Sequence, residues 1–179
     1  MLAYYYTDKE IEEIVKSMKI IIDTREQQNK HILDYFNARE IPYVNRTLKT
    51  GDYGAMIPAN ESLGILKDIY LPGRVERKAH IDEITGNLQK DKKTAFENEL
   101  IRSKDIPFTL IVEDKDGYEK LLNGKYRSQF NPLALLGILN SFKAKYNFEI
   151  VYLDNKYTGN WIYYHFYYQA RNLFKNTSR

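Results

Sequence analysis

The sequence predicts a single α/β domain in which helices flank a central mixed sheet. Segments with strand character alternate with segments of helical period along the whole chain, as in folds of this class. The 179 residues are an ordinary length for one domain and can bury a sizeable core. No repeat, linker or low-complexity tract interrupts them, so we expect one domain over residues 1–179.

Apolar periodicity, capping residues and turn residues place the elements of the first half. Thr7 and Glu10 have the spacing of a capping box and open the first helix. The predicted elements are, in order, an N-terminal helix within residues 1–18, a buried strand at 20–23, a helix at 28–40, a strand at 41–48, a turn at Gly51, its antiparallel return strand at 53–57, and an inserted loop or hairpin at 59–73.

The second half continues the alternation and ends in a helix. Asn131 is expected to cap a helix that begins at Pro132, because proline is tolerated at the first helical position. The predicted elements are, in order, a strand through Glu76, a helix from about Ile81, a helix at 93–104, a strand at 108–113, a brief helix at 117–122, a helix from Pro132 with its apolar stripe through Tyr146, a strand at 148–153, and a last helix from Gly159.

Bulk composition limits the class of protein. The chain has no cysteine, which excludes disulfides and cysteine-ligated zinc. Its net charge of +3 is mild and says little about nucleic acid. Nothing resembles a signal peptide, and no apolar run approaches the ~20 residues of a membrane span. We therefore expect an intracellular, cytoplasmic protein (host cytoplasm for a viral source) without a membrane partner.

The stretch Glu76-Arg77-Lys78 places charged residues at strand spacing. Because side chains alternate along a strand, Glu76 and Lys78 point the same way and Arg77 points the opposite way. The carboxylate and the ammonium then lie roughly 6–7 Å apart along one side. Asp52 could reach the same place if its strand is a neighbour. Two acids and a lysine that converge are the equipment of magnesium-dependent phosphodiester cleavage.

These residues also carry a family resemblance. Gly51-Asp52, followed by Glu76-Arg77-Lys78 and Asp82, resembles the G-D-x(n)-E-R-K-x-x-x-D signature of the XPF/MUS-type structure-selective endonucleases. Three further segments resemble parts of that family. Residues 20–26 resemble its first strand with the pattern D-x-R-E, and residues 108–113 resemble a later strand that ends in glutamate. Residues 133–152 resemble the helix and strand that close the nuclease domain.

The resemblance spans roughly residues 19–175 and implies a restriction-endonuclease-like core that cuts DNA with Mg²⁺ or Mn²⁺. It implies branched DNA as substrate, in recombination, repair or replication, without deciding between flap cleavage and junction resolution. Residues 59–73 are a departure, because the family has a shorter link there. No helix-hairpin-helix module is expected, so branch recognition would come from dimer geometry, a partner or an aromatic helix.

The resemblance also implies roles for individual residues. Asp52, Glu76 and the backbone carbonyl of Arg77 would hold the metal, and Asp23 would be a third acid beside a second cation. Lys78 would hold the attacking water or stabilise the charge of the transition state. Asp82 would either favour the start of its helix or orient Lys78 and the metal waters.

Four positions are accessory to the site, and the first three of them have more than one interpretation. The side chain of Arg77 forms either a structural salt bridge or a phosphate contact. Arg25 and Glu26 either support the site or pair with each other or with neighbours. Glu113, at the end of its strand, is expected to support the site without contacting the metal.

Basic residues gather after the motif, at Lys90, Lys92, Lys93 and Arg102. They are either phosphate contacts, which add salt-dependent and sequence-independent affinity, or part of solvated helix faces. They are the DNA-binding candidates in this chain.

The segment Trp161 to Tyr168 is unusually aromatic, with aromatic residues on every side of the predicted helix. We interpret it first as a homodimer interface, because Tyr and Trp are enriched in interfaces. Members of the resembled family also dimerise through C-terminal elements. Stacking on unpaired bases and an over-aromatic core helix are the two other interpretations.

Two other classes of function remain open at this stage. A catalytically silent DNA-binding subunit would share the fold, although such partners lose the acids or the lysine that Asp52, Glu76 and Lys78 retain here. A protein-interaction module that reuses the fold would show no salt-dependent affinity for DNA.

Overall fold

A computed structural model describes residues 5–177, apart from the side chains of residues 90, 91 and 177. The fold is a mixed sheet of seven strands flanked by helices, which confirms the predicted class. The helices are α1 Asp8–Lys16, α2 Lys30–Ala38, α3 Ile81–Asn87, α4 Lys90–Ser103, α5 Gly117–Asn123, α6 Pro132–Tyr146 and α7 Thr158–Thr177. The strands are β1 Lys19–Ile22, β2 Tyr43–Asn45, β3 Tyr53–Ile57, β4 Ile69–Tyr70, β5 Arg74–Lys78, β6 Phe108–Val112 and β7 Glu149–Tyr152.

The residues group into two compact units. Among the described residues, one unit comprises residues 5–48, 53–73 and 159–177, and the other comprises residues 49–52 and 74–158. Asp52, Glu76, Lys78 and Asp82 all belong to the second unit. Asp23, Arg25 and Glu26 belong to the first unit.

The first unit is built on β1, which pairs in parallel with β2 and antiparallel with β3. Strand β1 therefore lies between β2 and β3, and Ile21 faces Val44 on one side and Gly54 on the other. The predicted hairpin, in which residues 53–57 return along residues 41–48, is wrong. The reason is that the buried run Ile20–Ile22 satisfies its backbone groups only with a neighbour on each edge.

Short elements complete the first unit. The capping box of α1 is confirmed, because the Thr7 side chain accepts from the Glu10 backbone and the Glu10 side chain accepts from the Thr7 backbone. Residues 59–73 hold a 3-10 turn and strand β4, which runs antiparallel to β3. Helix α7 buries Ile162 and Phe166, and the close approach of Gly159 to Tyr35 leaves only 2.9 Å for an added Cβ.

The second unit is a parallel array of β5, β6 and β7 with helices α3 to α6. Strand β6 is buried along its whole length, as expected for a parallel strand with both faces covered. One core cluster joins α4 and α6 to β6 through side chains that include Phe96, Leu100, Leu110 and Phe142. Helix α4 begins three residues before the predicted helix, and α6 begins at Pro132 with Asn131 as its N-cap, as predicted.

Candidate active site

Strand β5 places Glu76 and Lys78 on the same side, as the alternation of a strand predicts. The Lys78 Nζ atom lies 2.5 Å from Glu76 Oε1, and the two side chains are only 13% and 9% exposed. Glu76 pairs in register with Leu110 of β6, and Lys78 pairs with Val112. The motif acid and the motif lysine therefore form a buried ion pair, and the β6 residues that pair with them are apolar.

A tight turn brings Asp52 to the same strand. Gly51 has φ +75°, and a Cβ there would lie 3.1 Å from the Arg74 Cβ and 3.2 Å from the Val75 carbonyl oxygen. Glycine is therefore required both by the backbone conformation and by the close approach. The Asp52 amide donates to the Val75 carbonyl at 2.8 Å.

The carboxylate of Asp52 is fixed by the backbone beside Glu76. Asp52 Oδ2 accepts from the Arg77 amide at 2.8 Å, and this amide belongs to the peptide bond that follows Glu76. The negative charge of Asp52 also acts on the ammonium of Lys78. Two segments that are far apart in the chain thus meet beside Glu76.

The electrostatics of this cluster are unusual for carboxylates. Burial raises the pKa of Glu76 to about 7, against the opposing effect of Lys78. Burial by itself would lower the pKa of Lys78, but the charges of Glu76, Asp52 and Glu99 outweigh it and raise that pKa. Lys78 is therefore charged at neutral pH, and ionising Glu76 is costly unless a further positive charge is present.

The donor set suits a hard divalent cation. Two carboxylates, the Arg77 carbonyl and several waters are the ligands that Mg²⁺ prefers. Within the described part of the chain, no three histidine, cysteine or acidic side chains stand in the arrangement of a ready-made metal site. Two carboxylates and one carbonyl would leave the other positions of an octahedral Mg²⁺ to water.

The side chain of Arg77 points away from Glu76 and Lys78 and contacts Glu113. Arg77 Nη1 lies 2.7 Å from Glu113 Oε2, and the side chains are only 7% and 3% exposed. Of the two sequence interpretations, the structure shows the salt bridge. Glu113 is thereby bound to the strand that carries the motif, and its amide also donates to the Lys78 carbonyl at 2.8 Å.

Asp82 has a partner that the sequence did not indicate. Asp82 Oδ1 accepts from the Arg127 amide at 2.8 Å, and the Arg127 side chain lies 3.7 Å from its other oxygen. His80 is the N-cap of α3 and Asp82 lies in the first turn. Asp82 thus links the start of α3 to the loop between α5 and α6.

Asp23 organises a loop in the first unit. Its two carboxylate oxygens accept from the backbone and guanidinium of Arg25 and from the Leu48 amide, at 2.6 to 3.1 Å. These bonds hold its pKa down at about 2. Glu26 accepts from the Gln28 amide at 3.0 Å. A metal ligated by Asp23 would have to replace one of these bonds, because they occupy all four acceptor positions of its carboxylate.

The basic residues after the motif occupy different surroundings on α4. Lys92 lines a cavity together with Lys78. The Nζ atom of Lys93 lies 5.7 Å from the ring centre of Phe142, and Arg102 is exposed. The Lys90 side chain lies outside the described residues.

Sequence reasoning missed Glu99 on α4. This residue lines a cavity of about 230 Å³ together with Lys78, and its negative charge helps to raise the pKa of Glu76. A signal was present, because Glu99 is three residues after Phe96 and one before Leu100, both buried. An acid at that place on a helix lies next to the stripe that faces the core.

The aromatic helix α7 has one buried side and one exposed side. Ile162, Phe166 and Ala170 are buried, whereas Tyr164 and Tyr168 are about half exposed. Trp161 and His165 stack with ring centres 4.6 Å apart. Within residues 5–177, no helix combines the length and the apolar character of a membrane span.

The mixed sheet of seven strands flanked by helices gives the class of fold, and comparison with known proteins gives the family. The chain matches the model of the ERCC4 domain over residues 22–165. Because this match covers most of the sequence, the chain belongs to the ERCC4 domain family, which confirms the resemblance read from the motif. No curated protein matches the chain at a significant level.

Two solved structures share the fold. XPF from Aeropyrum pernix is 17% identical and superposes with a TM-score of 0.58 over 89% of this chain and 67% of that one. The same protein in complex with DNA is also 17% identical, with a TM-score of 0.58 over 88% of this chain and 66% of that one. The chain thus spans about two thirds of the length of those structures.

The saturated carboxylate of Asp23 leads to a pH-dependent prediction. Asp23→Asn should lower the free energy of unfolding at pH 7 by about 2 kcal/mol, because the pKa lies about two units below its ordinary value. A lowered carboxyl pKa stabilises the folded state above pH ~4, and the effect is lost as the pH falls through about 2. Urea denaturation at several pH values should show the difference narrowing over that window.

Asp34→Asn is the matched control for this prediction. Asp34 pairs with Lys30 on an exposed helix face, where an ion pair contributes at most about 0.5 kcal/mol. An equal loss in both variants, or a loss in Asp23→Asn that does not change with pH, would contradict the assignment.

The buried pair of Arg77 and Glu113 leads to a second prediction. Arg77→Met and Glu113→Gln should each lower the free energy of unfolding by roughly 3–5 kcal/mol, because each leaves one charge or polar group buried without its partner. The double variant should lose clearly less than the sum of the single losses. Chemical denaturation of all four proteins measures this coupling, and simple additivity would rule it out.

Proposed function

We propose that this protein is a metal-dependent DNA endonuclease that hydrolyses phosphodiester bonds in branched DNA. The observation that carries the proposal is the convergence of Asp52 on the backbone beside Glu76, with Lys78 on the same side of β5. This arrangement combines hard oxygen ligands with a buried cationic donor, as phosphodiester hydrolysis requires.

Asp52, Glu76 and the Arg77 carbonyl would hold Mg²⁺ or Mn²⁺. When bound, such an ion would polarise a phosphoryl oxygen and acidify a water molecule. Asp52 is already oriented by the Arg77 amide, so little rearrangement is needed for it to act as a ligand. Asp23 would be the further acid of the proposed site, and Asp82 would position the loop that contains Arg127.

Lys78 would act directly on the reacting groups. Its ammonium is charged and largely shielded from water, so a hydrogen bond to the scissile phosphate or to the attacking water would be strong. Arg77 and Glu113 would act indirectly, because their pair holds β5 from the opposite side. Arg25 would act indirectly too, through its bonds to Asp23, and Glu26 belongs to the same loop.

DNA binding is supported by the family and by basic side chains near the site. The Aeropyrum pernix protein was solved in complex with DNA. In this chain Lys92 lies in the cavity beside Lys78, and we assign phosphate contacts to it and to Lys90, Lys93 and Arg102. Such contacts give affinity that falls with salt and does not depend on sequence.

Substrate shape and assembly are the finer parts of the proposal. We propose that residues 1–179 form a single nuclease domain that works inside the cell in repair, recombination or replication. We also propose a homodimer formed through Trp161 to Tyr168, where tyrosines are exposed on the side of α7 away from its buried residues. Dimer geometry would then select flaps, forks or four-way junctions.

A panel of labelled DNAs tests the function. The purified protein is incubated with flap, fork, four-way and linear duplexes, with Mg²⁺, with Mn²⁺ and with EDTA. The proposal predicts metal-dependent cleavage of at least one branched substrate in preference to the linear duplex. Metal-independent DNA binding without any cleavage would instead identify a catalytically silent subunit, and no salt-dependent DNA binding at all would identify an interaction module.

Single substitutions at the site should separate chemistry from binding. Asp52→Asn and Glu76→Gln should abolish cleavage while leaving DNA affinity nearly unchanged, because they remove metal ligands and not phosphate contacts. Lys78→Ala should slow cleavage by about 10²–10⁴-fold, the range for loss of a charge-stabilising or proton-handling group. Single-turnover rates and filter binding measure the two quantities separately.

Asp116→Asn serves as the control, since Asp116 lies at the start of α5 and is not among the residues assigned to the site. It should cut at the rate of the unmodified protein. Undiminished cleavage by Asp52→Asn or Glu76→Gln would refute the assignment of the site.

A further inference from the structure

We propose that Glu99 is a positioning residue that takes over the ion pair of Lys78 when a divalent cation occupies Asp52 and Glu76. This inference rests on the proposed function, because it concerns how the same site accommodates its metal. It assigns a role to a helix residue outside the motif.

The geometry places Glu99 in the cavity of Lys78. The negative charge of Glu99 acts on the carboxyl of Glu76 and on the ammonium of Lys78. The cavity beside them is lined by Lys78, Asn87, Lys92, Ala95, Phe96 and Glu99. Glu99 can therefore reach Lys78 through an open space and not through packed side chains.

Without a metal, the ammonium of Lys78 contacts the Glu76 oxygen that a cation would need as a ligand. Its Nζ atom lies 2.5 Å from Glu76 Oε1. A cation that binds this carboxylate repels the ammonium and competes with it for the same lone pairs. Lys78 must then move away from Glu76 or lose much of that interaction.

Charge balance shows why a further acid is required. The two carboxylates of Asp52 and Glu76 neutralise a divalent cation and leave the ammonium of Lys78 without a counter-charge. Lys78 is only 13% exposed, and a buried ammonium without a partner is strongly unfavourable. One more carboxylate in the same cavity restores neutrality.

The other acids near the motif in this unit already have partners elsewhere. Glu113 is paired with Arg77 on the opposite side of β5, and Asp82 bonds to the Arg127 amide. Glu83 accepts from the Ala79 amide at 3.2 Å. Glu99 is the acid that shares the cavity of Lys78.

Helix α4 holds Glu99 at this place. Phe96 and Leu100, on either side of it in the sequence, are buried in the core cluster of the unit. Because residues three and four apart lie on one face of a helix, Glu99 shares a face with Ala95 and Phe96, which also line the cavity. Its carboxyl is thus presented by a fixed element and not by a mobile loop.

The first measurement is metal affinity, which does not depend on catalysis. Mn²⁺ is titrated into the full chain without DNA, and free Mn²⁺ is followed by electron paramagnetic resonance. Glu99→Gln should weaken Mn²⁺ binding by about 10–100-fold, as loss of a group that supports metal ligands commonly does. Glu99→Asp, which keeps the charge, should recover part of the affinity.

Glu97→Gln is the matched control. Glu97 lies on the same helix but contacts Lys145 and Tyr146, away from the cavity. Its Mn²⁺ affinity should equal that of the unmodified protein. Thermal unfolding without metal should show that Glu99→Gln is folded and no less stable, because the change removes a negative charge that acts on the carboxyl of Glu76.

A double substitution distinguishes positioning from direct ligation. If Glu99 acts through Lys78, then Glu99→Gln should have little effect on Mn²⁺ affinity in a Lys78→Met background, where no ammonium needs a counter-charge. An equal loss in both backgrounds would show that Glu99 binds the cation itself and would overturn the inference.

The same titrations separate the inference from the proposed function. Absence of Mn²⁺ binding and of cleavage in the unmodified protein would reject the function itself. Metal-dependent cleavage by the unmodified protein, with Glu99→Gln behaving like Glu97→Gln, would leave the function standing and reject the role of Glu99.

Discussion

The structure depends on a charged segment that lies on a buried strand. Strand β5 carries Glu76 and Arg77, both nearly inaccessible to water, and Lys78 at its end. Charged side chains in such a place are tolerated only when each has a partner on its own side of the strand. Arg77 therefore requires Glu113, and Lys78 requires Glu76 with further acids around it. This requirement fixes much of the surroundings, because the partners come from the turn at Gly51, from the end of β6 and from α4.

Alternation along a strand was enough to predict the two sides of β5, because that rule depends only on local geometry. The pairing of strands was not predictable in the same way. The short connection through Gly51 looked like a hairpin turn, yet β1 lies between β2 and β3. After a glycine turn of this kind, the next strand can pair with the strand before the turn, as in a hairpin, or with a different strand of the sheet. The burial of β1 along Ile20–Ile22 decides between them, and it is a property of the folded unit.

Side-chain partners were harder to predict than elements. The motif identified Asp52, Glu76 and Lys78 as a group, and the hydrogen bond from the Arg77 amide to Asp52 shows the contact between the two segments. Asp82 belongs to the same motif, but its partner is the Arg127 amide, 45 positions away in a loop with no sequence signal for the contact. Glu99 was missed for a related reason. The sequence places it beside the core stripe of α4, whereas its place in the cavity of Lys78 depends on how that helix packs in the unit.

The two sides of β5 differ in how readily their charges can be rearranged. Arg77 and Glu113 form a pair that is almost fully buried, so separating them would cost several times the thermal energy. Lys78 adjoins a cavity and is surrounded by more than one carboxylate. A lysine has a long flexible side chain, so its ammonium can change from one carboxylate partner to another. The rigid, planar guanidinium of an arginine does this less easily. If Lys78 exchanges partners as proposed, the motif uses arginine where the strand is held and lysine where a charge moves.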